Sequence, residues 1–267
     1  AERFPLQGNL TAGVDTRLIL ALARAHAGSM TFMTRDSPSY NDSIDTSTAH
    51  QLAERFGLDL NVVVDIPASP DALESWQERT GSCIAGSVWR SIATWAQADP
   101  SRANLPGMAG EVARAKYSTR AVNVTSAEAV APILALPSHR LLTEAAERWL
   151  DEVPAVSARV HLDLLYIEHR VGCWAAPTLY GNTSEVPSFW LLSHRDIMRR
   201  MLNLSVEHKQ TDQLAIDVIG RCWPELLDVP FNTPFGPDAM ALRRRGLRAG
   251  ARSVIPYVAR RLRAARR

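Results

Sequence analysis

Lysine is almost absent from this chain: Lys116 and Lys209 are the only two among its 267 residues. Any chemistry that needs a lysine therefore has two positions to choose from. Cysteine is nearly as scarce. Cys83, Cys173 and Cys222 are widely spaced and odd in number, which fits neither a disulfide framework nor a C-x-x-C metal or redox site. They read as core thiols in a reducing, cytoplasmic compartment. No run of about 18 apolar residues occurs, so no membrane span is expected, and no basic-then-apolar leader is visible. The histidines are scattered without H-E-x-x-H spacing, and there is no G-x-S-x-G nucleophile elbow. His139 and His169 read as ordinary surface or partly buried residues.

What is present is a globular composition, 46% hydrophobic and 22% charged, well away from the signature of disorder. The net charge of +2 conceals an asymmetry. Ten arginines and no acids lie between Arg243 and Arg267, which leaves 20 basic against 28 acidic groups in residues 1–242. An acidic body argues against a nucleic-acid-coating surface. The basic tail, with Val254-Ile255-Pro256-Tyr257-Val258 among its arginines, reads as a solvated terminal helix or as a strip for an acidic peptide, nucleic acid or an anionic membrane.

Short apolar runs alternate with helical patterns in the first half. Strands are predicted at Phe4–Leu10, Met30–Met33, Leu60–Val64 and Leu105–Gly107. Helices are predicted at Thr16–Ala25 and Asp45–Phe56, the second stopped by Gly57. The polar run Arg35–Asp45 reads as a connection, with Asp45 a helix cap. This alternation predicts an α/β fold with a doubly wound parallel sheet. From Ser126 onward the pattern is mainly helical: Ser126–Leu134, His139–Leu150, Val156–Trp174, Ser193–Leu202 and Thr211–Cys222. The expected organisation is an α/β lobe over 1–125, a helical lobe over 126–242 packed on it, and an arginine-rich tail over 243–267.

The segment Leu10-Thr11-Ala12-Gly13-Val14-Asp15-Thr16 lies between the first strand and the first helix. A tight turn of small residues at a helix N-terminus presents backbone N–H groups, and the helix dipole favours an anion there. The Thr11 and Thr16 hydroxyls add donors, and Gly13 permits close approach or a positive φ. Asp15 would repel phosphate unless it holds a cation that bridges phosphate oxygens. Equally, Thr11 and Asp15 can cap the helix, with Gly13 as the turn residue.

This loop resembles the S-G-G-x-D-S pyrophosphate loop of the N-type ATP pyrophosphatases, and most closely the asparagine synthetase-like branch. Four further segments resemble the same family. Asp45-x-x-x-Ala49-x-x-x-Ala53-x-x-x-Gly57 is similar to its D-x-x-x-A-x-x-x-A-x-x-x-G helix. Gly107-Met108-Ala109-Gly110-Glu111 is similar to its G-x-G-x-D/E loop, with Glu111 96 residues after Asp15. Trp223-Pro224-Glu225-Leu226 through Pro230-Phe231 is similar to its W-P-E-L-x-x-x-P-F segment, and Leu164–Trp174 to one of its helices. The resemblance spans roughly residues 6–235 and implies a sheet of the adenine nucleotide alpha-hydrolase type. It also implies ATP held by Leu10, Thr11, Ala12, Gly13, Asp15, Thr16, Met33, Pro106 and Gly107, with Mg²⁺ held by Asp15 and Glu111. The implied reaction adenylates a substrate carboxylate, on a small molecule or a peptide, and then forms an amide. Ammonia from glutamine would require a glutaminase domain or subunit outside this chain. Because only about nine residues precede the first motif, an upstream domain is expected.

Two departures from the family stand out. Met108 occupies a position where relatives often carry Glu or Tyr for proton transfer, which a thioether cannot perform. Neither lysine lies in the C-terminal segment where relatives carry one. Lys116, five residues after Glu111, is the remaining candidate to reach phosphate, with a surface helix residue as its plain alternative. Arg243–Arg245 is a second source of charge. A nucleotide-binding scaffold without turnover is the competing expectation.

Overall fold

The computed structural model describes residues 4–36, 40–64, 68–80, 97–119, 123–124, 126–154, 156–182 and 187–232. The expectations for Cys83 and for the tail from Arg243 to Arg267 lie outside them.

Four strands form one all-parallel sheet: β1 (Leu6–Asn9), β2 (Thr31–Asp36), β3 (Asp59–Val64) and β4 (Ala103–Leu105), in the order β3-β2-β1-β4. The chain thus steps outward from β1 through β2 to β3, then returns to add β4 on the other side of β1. The class is α/β, as expected. Parallel strands need crossovers, and these include α1 (Val14–Leu22), α2 (Tyr40–Phe56) and α3 (Pro70–Thr80). The reversal of direction places a crevice beyond the carboxyl ends of β1 and β4, where open α/β sheets bind ligands. Residues Pro187–Phe189 cover the edge of β4: Asn104 donates to the Pro187 carbonyl at 2.7 Å, and Phe189 donates to the Asn104 carbonyl at 2.8 Å.

The strand and helix boundaries differ from the sequence expectation in instructive ways. β2 runs on through Asp36, because Thr34, Arg35 and Asp36 pair with Val62, Val63 and Val64. β4 ends at Leu105 rather than Gly107, since Pro106 has no N–H to give a ladder. Helix α2 begins at Tyr40 rather than Asp45. A polar run is compatible with a helix start in general, because first-turn amides are free and the dipole favours acids there. The stop of α2 is as expected. Gly57 has φ +64°, and Leu58 donates to the Ala53 carbonyl at 3.0 Å, the closure of a Schellman motif. Helix α3 has no counterpart in the expectations. Pro70 opens it, the Ser69 hydroxyl accepts from the Ala72 amide at 3.2 Å, and Trp76 is buried beneath it.

The second half is helical, as expected. Helices at Ala127–Leu134, Arg140–Glu152, Arg195–Leu202 and Gln213–Cys222 match it within two residues, and a short Val206–Gln210 helix is additional. The predicted helix 156–174 is an α-helix over Ala158–Leu165 that widens into a π-helix over Tyr166–Ala175 and continues through Asn182. One apolar cluster joins the halves, running from Leu10 and Leu18 through Leu162 and Tyr166 to Leu226 and Val229. The two described cysteines are not fully buried thiols. Cys173 is exposed and Cys222 only half-buried. No helix among the described residues is long and apolar enough to cross a membrane.

Candidate functional site

The turn from β1 into α1 is held from several sides. Leu10, fully buried, donates to the Met33 carbonyl at 2.8 Å. Inside the turn, Gly13 donates to Thr11 Oγ1 at 3.0 Å, the Thr11 and Thr16 hydroxyls share a 2.8 Å hydrogen bond, and Thr16 Oγ1 donates to the Gly13 carbonyl at 3.2 Å. Gly13 itself has φ −75°, so its value lies in compactness rather than in a left-handed turn. A methyl there would stand 3.1 Å from Thr11 Oγ1. Ala12 is not among the residues with positive φ, which is why it stands where the resembling loop has glycine.

Asp45 is not a cap. It lies inside α2, and its Oδ1 accepts both the Ala12 amide and Asn232 Nδ2, each at 3.0 Å. Asn232 in turn donates its own amide to the Ala12 carbonyl at 3.0 Å. The turn is thus clamped between the second helix and residues after the W-P-E-L segment. Arg17 secures that segment from beneath. Fully buried on α1, it donates to the carbonyls of Leu226, Val229 and Pro230 at 3.1, 2.5 and 3.1 Å, with its guanidinium 4.1 Å from the Phe231 ring centroid. Burial lowers its pKa to about 10, so it stays charged at neutral pH.

Two adjoining cavities open at the carboxyl ends of the strands. The larger, about 370 Å³, is lined by Gly13–Thr16, Pro106–Met108, Glu111, Arg114, Lys116 and Asn232 among others. The smaller, about 200 Å³, is lined by Met33, Thr34, Arg35, Asp45 and Val63. Asn9, Thr11 and Thr16 line both. Helix α1 starts at Gly13 without a side-chain cap, so the first-turn amides of Val14, Asp15 and Thr16 lie at the wall of the larger cavity. That is the arrangement that favours an anion.

The wall opposite is the 3₁₀ turn Gly110–Arg114 that follows β4. Two alanines in the left-handed region bracket it, Ala109 at φ 73° and Ala115 at φ 46°. Such backbone costs about 1–2 kcal/mol per residue and persists where the surroundings over-determine it. Its result is a cluster of charge. Arg114 donates to Asp15 Oδ2 at 3.0 Å and lies 3.3 Å from Glu111 Oε1, while Lys116 Nζ is 2.6 Å from that same Glu111 oxygen. The Tyr166 hydroxyl donates to Glu111 Oε2 at 2.5 Å. Tyr166 packs edge-on against Tyr117, whose hydroxyl is 3.1 Å from His169 Nδ1.

Asp15 has its pKa raised to about 6. Burial is the main cause, opposed by Arg114 and reinforced by Glu111. Burial also pushes Glu111 up, but Lys116, Arg114 and the hydrogen bonds from Lys116 and Tyr166 together hold it below the usual range. Arg114 is likewise penalised by burial, yet Asp15, Glu111 and Asp212 raise its pKa and fix its charge. Burial and then the Glu111 charge push the Tyr166 hydroxyl far above the ordinary tyrosine range, so it acts as a proton-bearing donor.

Of the residues expected here, Thr11, Gly13, Asp15, Thr16, Pro106, Gly107, Glu111 and Lys116 line the larger cavity, and Met33 lines the smaller. Leu10 and Ala12 are fully buried supports of the turn and line neither. Asn9, Arg114, Asn232 and Tyr166 are additions. Arg114, three residues past Glu111, carried a local signal, since that spacing faces two side chains together on a helical turn. The other lysine is elsewhere: Lys209 is buried against Asp163 Oδ2 at 2.5 Å and the Leu202 carbonyl at 3.1 Å. No group of three or more His, Cys, Asp or Glu suited to a metal occurs among the described residues. The chain matches no model of a known protein family and none of the curated proteins.

Proposed function

We propose that the two cavities bind ATP and that the chain activates a carboxylate as its acyl-adenylate, releasing pyrophosphate, before an amine displaces AMP to form an amide. The observation that carries this reading is an uncapped helix N-terminus opening into a cavity that Arg114 and Lys116 also line. That cavity suits a polyphosphate, and the smaller one beside Met33 and Val63 suits a base. A substrate carboxylate oxygen attacks the α-phosphorus, and the bond to the β-phosphate bridging oxygen breaks. The departing pyrophosphate then meets the first-turn amides, Lys116 and Arg114, groups fixed before the charge develops.

A Mg²⁺ ion is the usual partner of such a reaction. Its expected ligands, Asp15 and Glu111, do share one cavity, and two carboxylates plus phosphate oxygens form a sufficient donor set. As arranged they do not fit it, because Asp15 Oδ2 and both Glu111 oxygens are held by Arg114, Lys116 and Tyr166.

Calorimetric titration with ATP tests the binding step, on the wild type and on Lys116→Glu. Lys116 is half-exposed, so the variant should fold. Saturable binding weakened roughly tenfold or more by charge reversal is expected, and absence of binding, or binding indifferent to Lys116, rejects the reading. A second reading, a nucleotide-binding scaffold without turnover, is favoured by Met108 lining the cavity and by Lys209 being committed to Asp163. Production of AMP and pyrophosphate with a panel of carboxylates separates the two.

A further inference from the structure

Arg114 stands where a divalent cation would have to stand. Its Nη2 is 3.0 Å from Asp15 Oδ2 and 3.3 Å from Glu111 Oε1, so one guanidinium joins the two carboxylates expected to hold the metal. Lys116 takes the same Glu111 oxygen at 2.6 Å, and Tyr166 takes the other at 2.5 Å. Arg114 and Lys116 already face these two carboxylates, and a third cation would have to displace Arg114 against its attraction to Asp15, Glu111 and Asp212. The arrangement is not a loose side chain settling on a nearby acid. Arg114 is only 16% exposed, and its 3₁₀ turn is flanked at both ends by left-handed alanines, at 109 and 115, a backbone that persists only where its surroundings fix it. Its Nε is buried with no hydrogen-bond partner among the described residues, so the guanidinium is not saturated by the acids.

We infer that Arg114 is the resident cation of the polyphosphate site, and that ATP binds there without a divalent metal. This deepens the nucleotide reading and rests on it. Arg114, Lys116 and the α1 amides meet the phosphates directly, while Asp15 and Glu111 orient the guanidinium rather than a metal. Arg114 is a binding and positioning residue in this scheme.

The test is calorimetric titration of ATP into the full chain in excess EDTA and again in excess Mg²⁺, for the wild type, Arg114→Gln and Arg114→Lys. The expected wild-type result is saturable binding in EDTA that Mg²⁺ strengthens by less than about threefold, since no ligand pair is free for the ion. In Arg114→Gln, binding in EDTA should fall roughly tenfold or more, as for truncation of one partner of a buried charge contact. Mg²⁺ should then restore part of it through the freed carboxylates, and Arg114→Lys should lie between. Wild-type binding that requires Mg²⁺ overturns the inference and leaves the nucleotide reading standing. No binding under either condition removes both. If Arg114→Gln does not fold, Mn²⁺ titration of the nucleotide-free wild type, read by electron paramagnetic resonance, still decides. The ion should stay free in solution, and Mn²⁺ binding that Asp15→Asn abolishes overturns the inference.

Discussion

The Asp15 carboxylate rests against Gly110 so closely that a methyl group on that glycine would stand 2.4 Å from Asp15 Oδ1. A real Cβ does not approach an oxygen so nearly, so the carboxylate and the turn after β4 are built against one another. Gly107 has the same relation to the backbone, where a methyl would lie 2.9 Å from the Asp15 carbonyl carbon and the Thr16 nitrogen. The two glycines therefore mark a contact between the first and second motifs rather than a need for unusual dihedral angles. Gly110→Ala is expected to displace Asp15 from Arg114, lowering stability by about 1–3 kcal/mol and weakening ATP binding. Gly28→Ala, where nothing lies within 4 Å, is the control. Denaturant unfolding and calorimetry on both variants check this, and equal behaviour of the two would show that the contact has no consequence.

Arg17 carries a different prediction, because its role is support rather than binding. Arg17→Met keeps the length and apolar stem but abandons two buried carbonyls, at Leu226 and Val229, a part-buried one at Pro230, and the contact with Phe231. Hydrogen bonds to charged groups contribute about 1.5–3 kcal/mol each and are not additive, so a loss of about 3–5 kcal/mol is expected. Urea unfolding measures it. The loss should exceed that of Arg55→Met, whose ion pair with Asp228 is half-exposed and worth about 0–1 kcal/mol.

How far the sequence disclosed these features depends on their range along the chain. The parallel sense of the sheet, the turn at Leu10–Thr16 and the stop at Gly57 follow from local patterns, and all are legible. The pairing of Asp15 with the Glu111 region was legible only through the resemblance of both segments to one family. Asp45 was misplaced because a helix beginning in a polar run looks like a loop, and its bond to Asn232 crosses 187 positions. Arg17 has a local signal: it is a lone arginine amid Val14, Leu18, Ile19, Leu20 and Ala21, all buried. Tyr166 was hidden by the widening of its helix at Leu165, which no periodicity announces.

If the smaller cavity binds the base as proposed, Thr34 links stability to that binding. It is 2% exposed, and its hydroxyl has no hydrogen-bond partner among the described residues, yet it lines that cavity. An unpaired buried hydroxyl costs about 1–3 kcal/mol, and a turn about χ1 that brings it to the cavity would let a bound base edge satisfy it. Thr34→Val should therefore unfold at equal or higher denaturant concentration than the wild type while binding ATP less tightly. Its affinity for inorganic pyrophosphate, which the proposed function assigns to the larger cavity, should not change. Loss of stability with unchanged ATP affinity would show that the hydroxyl serves the fold.

Asp15 makes the site's contribution to stability depend on pH, and the sign is opposite to that of an ordinary paired carboxylate. Its folded pKa of about 6 lies above the usual 3.8, so between these values the folded chain holds a proton that the unfolded chain has lost. The contribution of Asp15 is greatest below pH 3.8, declines as pH rises through about 6, and is constant beyond. At neutral pH the buried charge thus costs on the order of 2–3 kcal/mol relative to the protonated form. Asp15→Asn resembles that neutral form at every pH. The stability of the variant relative to the wild type should rise from pH 4 to pH 7 by this order and then level, as read from urea unfolding at several pH values. A difference that does not change over that interval would mean that Arg114 fully offsets the burial of Asp15, and would place its pKa in the ordinary range.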